Sequence, residues 1–331
     1  SSAFTVLFMF WSLTILLKKL IIVSIIILML SGCSSFDHRK RESINDKNKM
    51  KVYTTVYAFQ SLTQQIGGKY VDAQSIYPAG ADLHSYEPTQ KDMIDIAKSD
   101  LFVYSSHQLD PVAAKITNSM TNNSMKLALA EGLKQSDFIH SKDHDENHEH
   151  HSHHEESNQD PHVWLDPVLN QKFAFMIKEK LIEKDPKHQA YYNKNYKIVN
   201  KDIVHIDQQL QSITKHSKRD KVVISHDSLG YLAHRYGFKQ QGVKGMNDEE
   251  PSQKEILNIV KDIQHSHAPY VLYEQNITSK ITDVIKKETD TKPLSFHNLA
   301  VLTKEEQNDD SISYQSLMKK NIYVLNRALN N

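Results

Sequence analysis

The sequence predicts an α/β protein of two lobes, each with a mainly parallel sheet flanked by helices, joined by a long rigid linker helix. Three observations carry this. Short β-branched or apolar runs alternate with helical patterns from Lys51 onward, and the alternation resumes near Val222. Between the two blocks runs the strongest helical periodicity in the chain.

In order along the chain, KVYTTV (51–56) is short and β-branched and reads as a strand. Phe59, Leu62 and Ile66 follow at helical spacing, and the helix stops at Gly67-Gly68. SIY (75–77) reads as the next strand and ends at Pro78; Thr89 can cap a helix carrying Met93, Ile94 and Ala97. LFVY (101–104) and KLAL (126–129) are further strands. In the second block VVIS (222–225) is followed by a helix over Leu229 to Tyr236. Ser252-x-x-Glu255 then forms a capping box ahead of Ile256, Ile259, Val260 and Ile263. YVLY (270–273), a helix near 279–288, PLS (293–295) and a terminal helix near 313–328 complete the pattern. The intervening stripe is Tyr192, Tyr196, Val199, Ile203, Ile206, Leu210 and Ile213, stepping by four and three. Such spacing also suits a coiled-coil dimer, but three heptads flanked by α/β blocks fit better with a rod spanning both lobes of a monomer. The expected divisions are 51–186, 187–216 for the rod and 217–331.

Composition narrows the chemistry. Forty Lys+Arg balance 40 Asp+Glu in 331 residues, which argues against a nucleic-acid binder. Neither G-x-G-x-x-G nor G-x-x-x-x-G-K-[ST] occurs, so nucleotide cradles lack support. Nineteen histidines stand beside one cysteine, so metal chemistry would run on imidazole and carboxylate. That cysteine belongs to the N-terminus. Lys18 and Lys19 precede an apolar run from Leu20 to Leu30, and Ser31, Gly32 and Cys33 follow, the pattern of a secretory signal over 1–32. Leu30-Ser31-Gly32-Cys33 resembles a bacterial lipobox, which makes Cys33 the expected site of lipidation and the new N-terminus. The stretch before about residue 17 has no role in such a signal and is expected to be a gene-model extension. Residues 33–50 are polar and read as a lipidated flexible tether. Residues 140–156 form a His- and acid-rich insert with no apolar residue to bury, expected to be a mobile surface loop. Its His144, His148, His150, His151, His153 and His154, with His140, suggest an accessory metal-collecting role.

Three further histidines lie in motif-like surroundings: His84 in Gly80-Ala81-Asp82-Leu83-His84-Ser85-Tyr86-Glu87-Pro88, His162 in Asp160-Pro161-His162-Val163-Trp164-Leu165-Asp166-Pro167, and His226 in Ser225-His226-Asp227-Ser228-Leu229-Gly230-Tyr231. His226 directly follows a strand, where α/β sheets collect ligands. Spacing alone does not unite the three. The segments do resemble the signatures of the metal-binding lipoproteins that serve bacterial zinc and manganese ABC importers, the cluster A-I solute-binding proteins. The resemblance runs from about residue 20 to 330 and includes the lipobox, the His-rich insert and the long helix.

The resemblance implies two α/β lobes joined by a rigid linker helix, with one metal in the cleft between them. His84 and His162 would be ligands from the first lobe and His226 from the second. The family's fourth ligand is a C-terminal carboxylate, and Ala300 stands where zinc-type relatives often carry Glu. That leaves the fourth position open between a water, Glu274 (as ligand or as support behind one) and His297. Three imidazoles suit zinc better than manganese, and manganese-type relatives have Glu at the position of His226. The implied function is a zinc receptor, not an enzyme, lipid-anchored to the outer face of the bacterial cytoplasmic membrane. It would pass Zn2+ to an ABC permease whose partner subunit hydrolyses ATP. A manganese-binding homologue, a zinc hydrolase with an open fourth position and an adhesion lipoprotein with an incidental metal are the competing readings.

Overall fold

Short apolar runs separated by helices leave each strand a parallel crossover to its neighbour, and the chain builds two such sheets. The computed structural model describes residues 43–83, 85–140, 159–246, 248–276 and 280–331. The signal, the proposed lipidation site Cys33, His84 and the insert histidines His144, His148, His150, His151, His153 and His154 lie outside the described residues. In the first sheet β1 (Met50–Thr54), β2 (Val71–Ser75), β3 (Leu101–Tyr104) and β4 (Lys126–Ala128) lie in the order β2-β1-β3-β4, all parallel. In the second, β5 (Lys221–His226), β6 (Lys239–Lys244), β7 (Tyr270–Glu274) and β8 (Lys292–Phe296) repeat that order as β6-β5-β7-β8. Both sheets therefore reverse direction of winding after their first crossover, and ligand crevices form beyond the carboxyl ends at the switch points, between β1 and β3 and between β5 and β7.

Helices α1 (Tyr57–Gly67), α2 (Gln90–Ala97) and α3 (Pro111–Asn118) make the crossovers of the first sheet. Helices α6 (Gly230–Tyr236), α7 (Gln253–Ser266) and α8 (Lys280–Thr289) serve the second. Between the sheets run α4 (Pro167–Lys184) and α5 (Gln189–Thr214), the expected long helix, with Tyr192, Val199, Ile203, Ile206 and Leu210 buried along its stripe. The C-terminal α9 (Tyr314–Asn330) returns beside α5 and buries ten of its residues. The helix cap at Thr89 and the capping box at Ser252 form as expected, and Asp92 makes the Thr89 cap a box as well. One strand was misplaced by sequence: β2 covers Val71–Ser75 rather than 75–77. Its inward Val71 and Ala73 alternate with Asp72 and Gln74, which dilute the apolar signal, while Ile76 and Tyr77 are buried beyond its end.

One apolar core runs from the first sheet through α4, α5 and α9 to the inner face of the second sheet, where it takes in Val222, Ile224, Leu272 and Phe296. The outer face of that sheet, with Val223 and Val271, packs Ile259, Ile263 and Ile285 of α7 and α8 in a separate small core. No helix among the described residues is long and apolar enough to cross a membrane.

Candidate metal-binding cleft

His162 opens a tight turn (Val163–Leu165) ahead of α4, and its side chain is held by a residue two positions earlier. Asp160 Oδ1 accepts both the backbone N–H of His162, at 2.9 Å, and its Nδ1–H, at 2.7 Å. A carboxylate fixed on Nδ1 sets the tautomer, leaving Nε2 as the lone-pair nitrogen of the neutral ring. His226 is the last residue of β5, and Glu274 the last of the adjacent β7, so the switch point of the second sheet brings them together. His226 Nδ1–H donates to Glu274 Oε2 at 3.2 Å, and its Nε2 faces the Met246 carbonyl at 2.9 Å. Burial works against a charge on His226, but the hydrogen bond and charge of Glu274 outweigh it and hold the ring up to about 9. Glu274, fully enclosed, is opposed by the same burial, yet His226 and the Ser228 hydroxyl keep its carboxyl below the usual range. The rings of His162 and His226 stand 5.0 Å apart between centroids, at 70°.

A cavity of about 750 Å³ opens beside His162, lined by Leu83, Tyr86, Asp110, Trp164 and Glu249 among others. Leu83 and Tyr86 flank the position of His84, so the 80–88 segment borders the same cavity as His162. Among the described residues, which exclude His84, no three His, Cys, Asp or Glu side chains converge as a metal site. The alternatives for a fourth ligand lie differently. Both nitrogens of His297 are engaged within its own lobe, Nδ1 accepting from Leu299 N at 2.9 Å and Nε2 against Glu306 at 3.0 Å. Ala300 is buried and donates its N–H to Asn298 Oδ1 at 3.0 Å. The carboxylate of Glu274 is shared among His226, Ser228 and Asn298.

Contacts not anticipated from sequence tie the two ligand loops together. Tyr231 OH donates to the Asp160 carbonyl at 3.0 Å, and a Cβ on Gly230 would run into Asp160 Oδ2, which explains a glycine ahead of that tyrosine. Arg235 Nε lies 2.7 Å from both oxygens of Asp166, a buried residue whose Oδ1 also caps the first amides of α4. Trp164 Nε1–H donates to the Asn298 carbonyl at 2.8 Å. Tyr231 belongs to a quoted motif and was within reach of sequence reasoning. Arg235 and Asn298 carried no local signal, because their partners lie 69 and 134 residues away.

Two parallel sheets of matching order, bridged by a long helix and presenting oriented imidazoles from both halves, define a two-lobed binding protein rather than a nucleotide or nucleic-acid fold. The chain belongs to the family described as zinc-uptake complex component A, periplasmic (ZnuA), whose model matches residues 52–328. It is similar to the high-affinity zinc uptake system protein ZnuA of Bacillus subtilis, with 30% identity over 318 residues covering 94% of this chain and 97% of that one. Similarity to the zinc-binding lipoprotein AdcA of Streptococcus pneumoniae R6 is 27% over 314 residues, covering 94% of this chain but only 60% of the longer relative. The zinc-bound structure of an AdcAII mutant variant from Streptococcus pneumoniae superposes with a TM-score of 0.71 at 25% identity, covering 85% of this chain and 99% of that one.

Proposed function

We propose that this chain captures Zn2+ in the cleft between its lobes through His84, His162 and His226 and delivers it to an ABC permease coupled to an ATPase subunit. The observation that carries this reading is the pair His162 and His226, two imidazoles from different lobes at 5.0 Å between centroids, each backed by a carboxylate on Nδ1. Metal-ligating histidines are commonly held in this way; His162 keeps Nε2 for the ion, and His226 would exchange the Met246 carbonyl on its Nε2 for it. Glu274 then acts as the support behind His226, and the fourth position falls to a water or to a group brought in with the ion. An N-rich shell favours zinc over manganese, which prefers carboxylate, and the names of the relatives support the same cargo. A hydrolase would need a base near an open metal position; Glu274 is committed to three neighbours, which favours the receptor.

The remaining assignments follow from that reading. Residues 1–32 are the signal, Cys33 carries the lipid on the outer face of the cytoplasmic membrane, and 33–50 are the tether. The first lobe is 51–186, the linker 187–216 and the second lobe 217–331, in a monomer. His144, His148, His150, His151, His153 and His154 collect metal weakly and feed it to the cleft by raising its local concentration. His140, which opens that insert, and Gln159, just beyond its end, pair as an antiparallel bridge, and Gln159 lines the cavity with His162.

Metal analysis and calorimetry with Zn2+ and Mn2+ on the full chain test the proposal. One tight zinc site is expected, lost in His162→Ala and retained when 141–156 are deleted. Tight binding that survives His162→Ala would refute the site; tighter manganese than zinc would favour the manganese homologue.

A further inference from the structure

Asn298 follows β8 by two residues, and its backbone and side chain together reach both ligand loops. Its carbonyl accepts Trp164 Nε1–H from the first lobe at 2.8 Å, two residues beyond His162. Its Nδ2 donates to Glu274 Oε2 at 3.1 Å, the same oxygen that receives His226 Nδ1–H at 3.2 Å. The orientation of the amide is unambiguous. Asn298 Oδ1 accepts from Gln275 Nε2 at 2.7 Å and from Ala300 N at 3.0 Å, which leaves only Nδ2 for the carboxylate. Gln275 returns the bond through its Oε1, which accepts Asn298 N–H at 2.9 Å. Every polar group of Asn298 is therefore used, at 8% exposure, and each use fixes the same geometry.

Resting on the zinc-receptor reading, we propose that Asn298 is a positioning residue for the metal: its side chain aims His226 through Glu274, while its backbone carbonyl, held by Trp164, anchors it beside the His162 loop. A carboxylate shared by Ser228, His226 and Asn298 has its oxygens held from three sides. Removing the Asn298 donor frees Glu274 to rotate, and the imidazole it carries loses its fixed direction. Loss of such an outer partner weakens metal binding by about 10- to 100-fold in comparable sites. A purely structural residue would lower stability and leave the coordination geometry unchanged.

Asn298→Asp tests this on the full chain. It keeps the oxygen that Gln275 and Ala300 use and replaces the donor facing Glu274 with a second carboxylate oxygen. The variant is expected to bind zinc ~10- to 100-fold more weakly in competition with a chromophoric chelator. Cobalt(II) substituted for zinc should show a shifted and altered visible d–d spectrum. Combining it with Glu274→Gln removes the repulsion between the two facing carboxylates, so the double variant should bind more tightly than the product of the two single losses predicts. Strictly multiplicative losses would overturn the proposal. So would a folded Asn298→Asp protein with wild-type zinc affinity and cobalt spectrum. If Asn298→Asp fails to fold by circular dichroism, Asn298→Ser, which removes the reach to Glu274 without adding charge, decides by the same two readouts. The wild-type titration separates the two levels: absence of tight zinc binding there refutes the receptor reading, whereas tight binding with unchanged variants refutes only the role of Asn298.

Discussion

Asp110 shows what the cleft costs at the level of one residue. Its Oδ1 accepts Ala113 N–H at 2.8 Å and caps α3, while its surroundings leave it 8% exposed beside the cavity. Burial pushes its carboxyl up to about 6, only partly offset by the backbone amides that it caps. A carboxyl raised in the folded state favours the protonated form there. Its charge therefore reduces stability above about pH 6, and the reduction is relieved as pH falls from about 6 toward the ordinary value of 3.8. Asp110→Asn keeps a cap acceptor and removes the charge. We expect it to raise stability at pH 7.5 by on the order of 3 kcal/mol and by much less at pH 4. Urea unfolding at the two pH values checks this; an equal effect at both would show that the charge is not the cause. His162 and His226 were legible in sequence because short motifs surround them; Asp160 lies in the motif of His162, and Glu274 was among the candidates for the fourth position. The Met246 carbonyl against His226 had no signature, since any residue supplies a carbonyl and only the fold chooses which.

At the scale of elements, the long helix α5 was the most legible because one narrow stripe decides its packing. Ile203 is wholly buried on that stripe, whereas Ile198, five positions earlier on the same helix, is 55% exposed. Ile203→Ala should cost about 2–4 kcal/mol, by lost transfer energy plus the cavity left behind. Ile198→Ala should stay within about 0.5 kcal/mol. Thermal or urea denaturation compares them directly, and similar costs would mean that the stripe does not set the packing. Strands β2 and β6 were less legible for a shared reason. Each lies at an edge of its sheet, and polar residues such as Asp72, Gln74, Gln240 and Gln241 interrupt the apolar pattern. Helix α4 buries Leu169, Asn170, Phe173, Ala174, Ile177, Lys178 and Leu181, a broad face mixing polar with apolar residues, and no single stripe announced it.

The two lobes of the molecule share structure that neither could supply alone. Helix α1 has no side-chain cap at Val56, and its first amides are satisfied instead by the second lobe: Tyr57 N–H donates to the Ala300 carbonyl at 2.8 Å and Ala58 N–H to that of Leu299 at 3.0 Å. Leu299 adopts a left-handed φ of 56°, a conformation that costs a non-glycine residue on the order of 1 kcal/mol or more and persists where surroundings enforce it. Further along α1, Ser61 accepts from Tyr314 N at 2.9 Å, and Gln65 exchanges amide hydrogen bonds with Gln315 at 2.8 and 2.9 Å. The C-terminal helix thus completes the first sheet's layer while the common core continues past it into the second sheet. A helix whose opening amides and flank are supplied by a distant segment loses both when that segment leaves. Residues 51–186 expressed alone should therefore fail to fold, and the whole chain should unfold in one transition. Trp164, the single tryptophan after residue 32, sits at the junction with its indole on Asn298 and reports the contact between lobes. In a chain that begins after residue 32, its fluorescence and the far-ultraviolet circular dichroism should follow one urea curve with one midpoint. A tryptophan transition complete before the helical signal is lost would show that the lobes separate first and that the shared helix caps do not bind them into one cooperative unit.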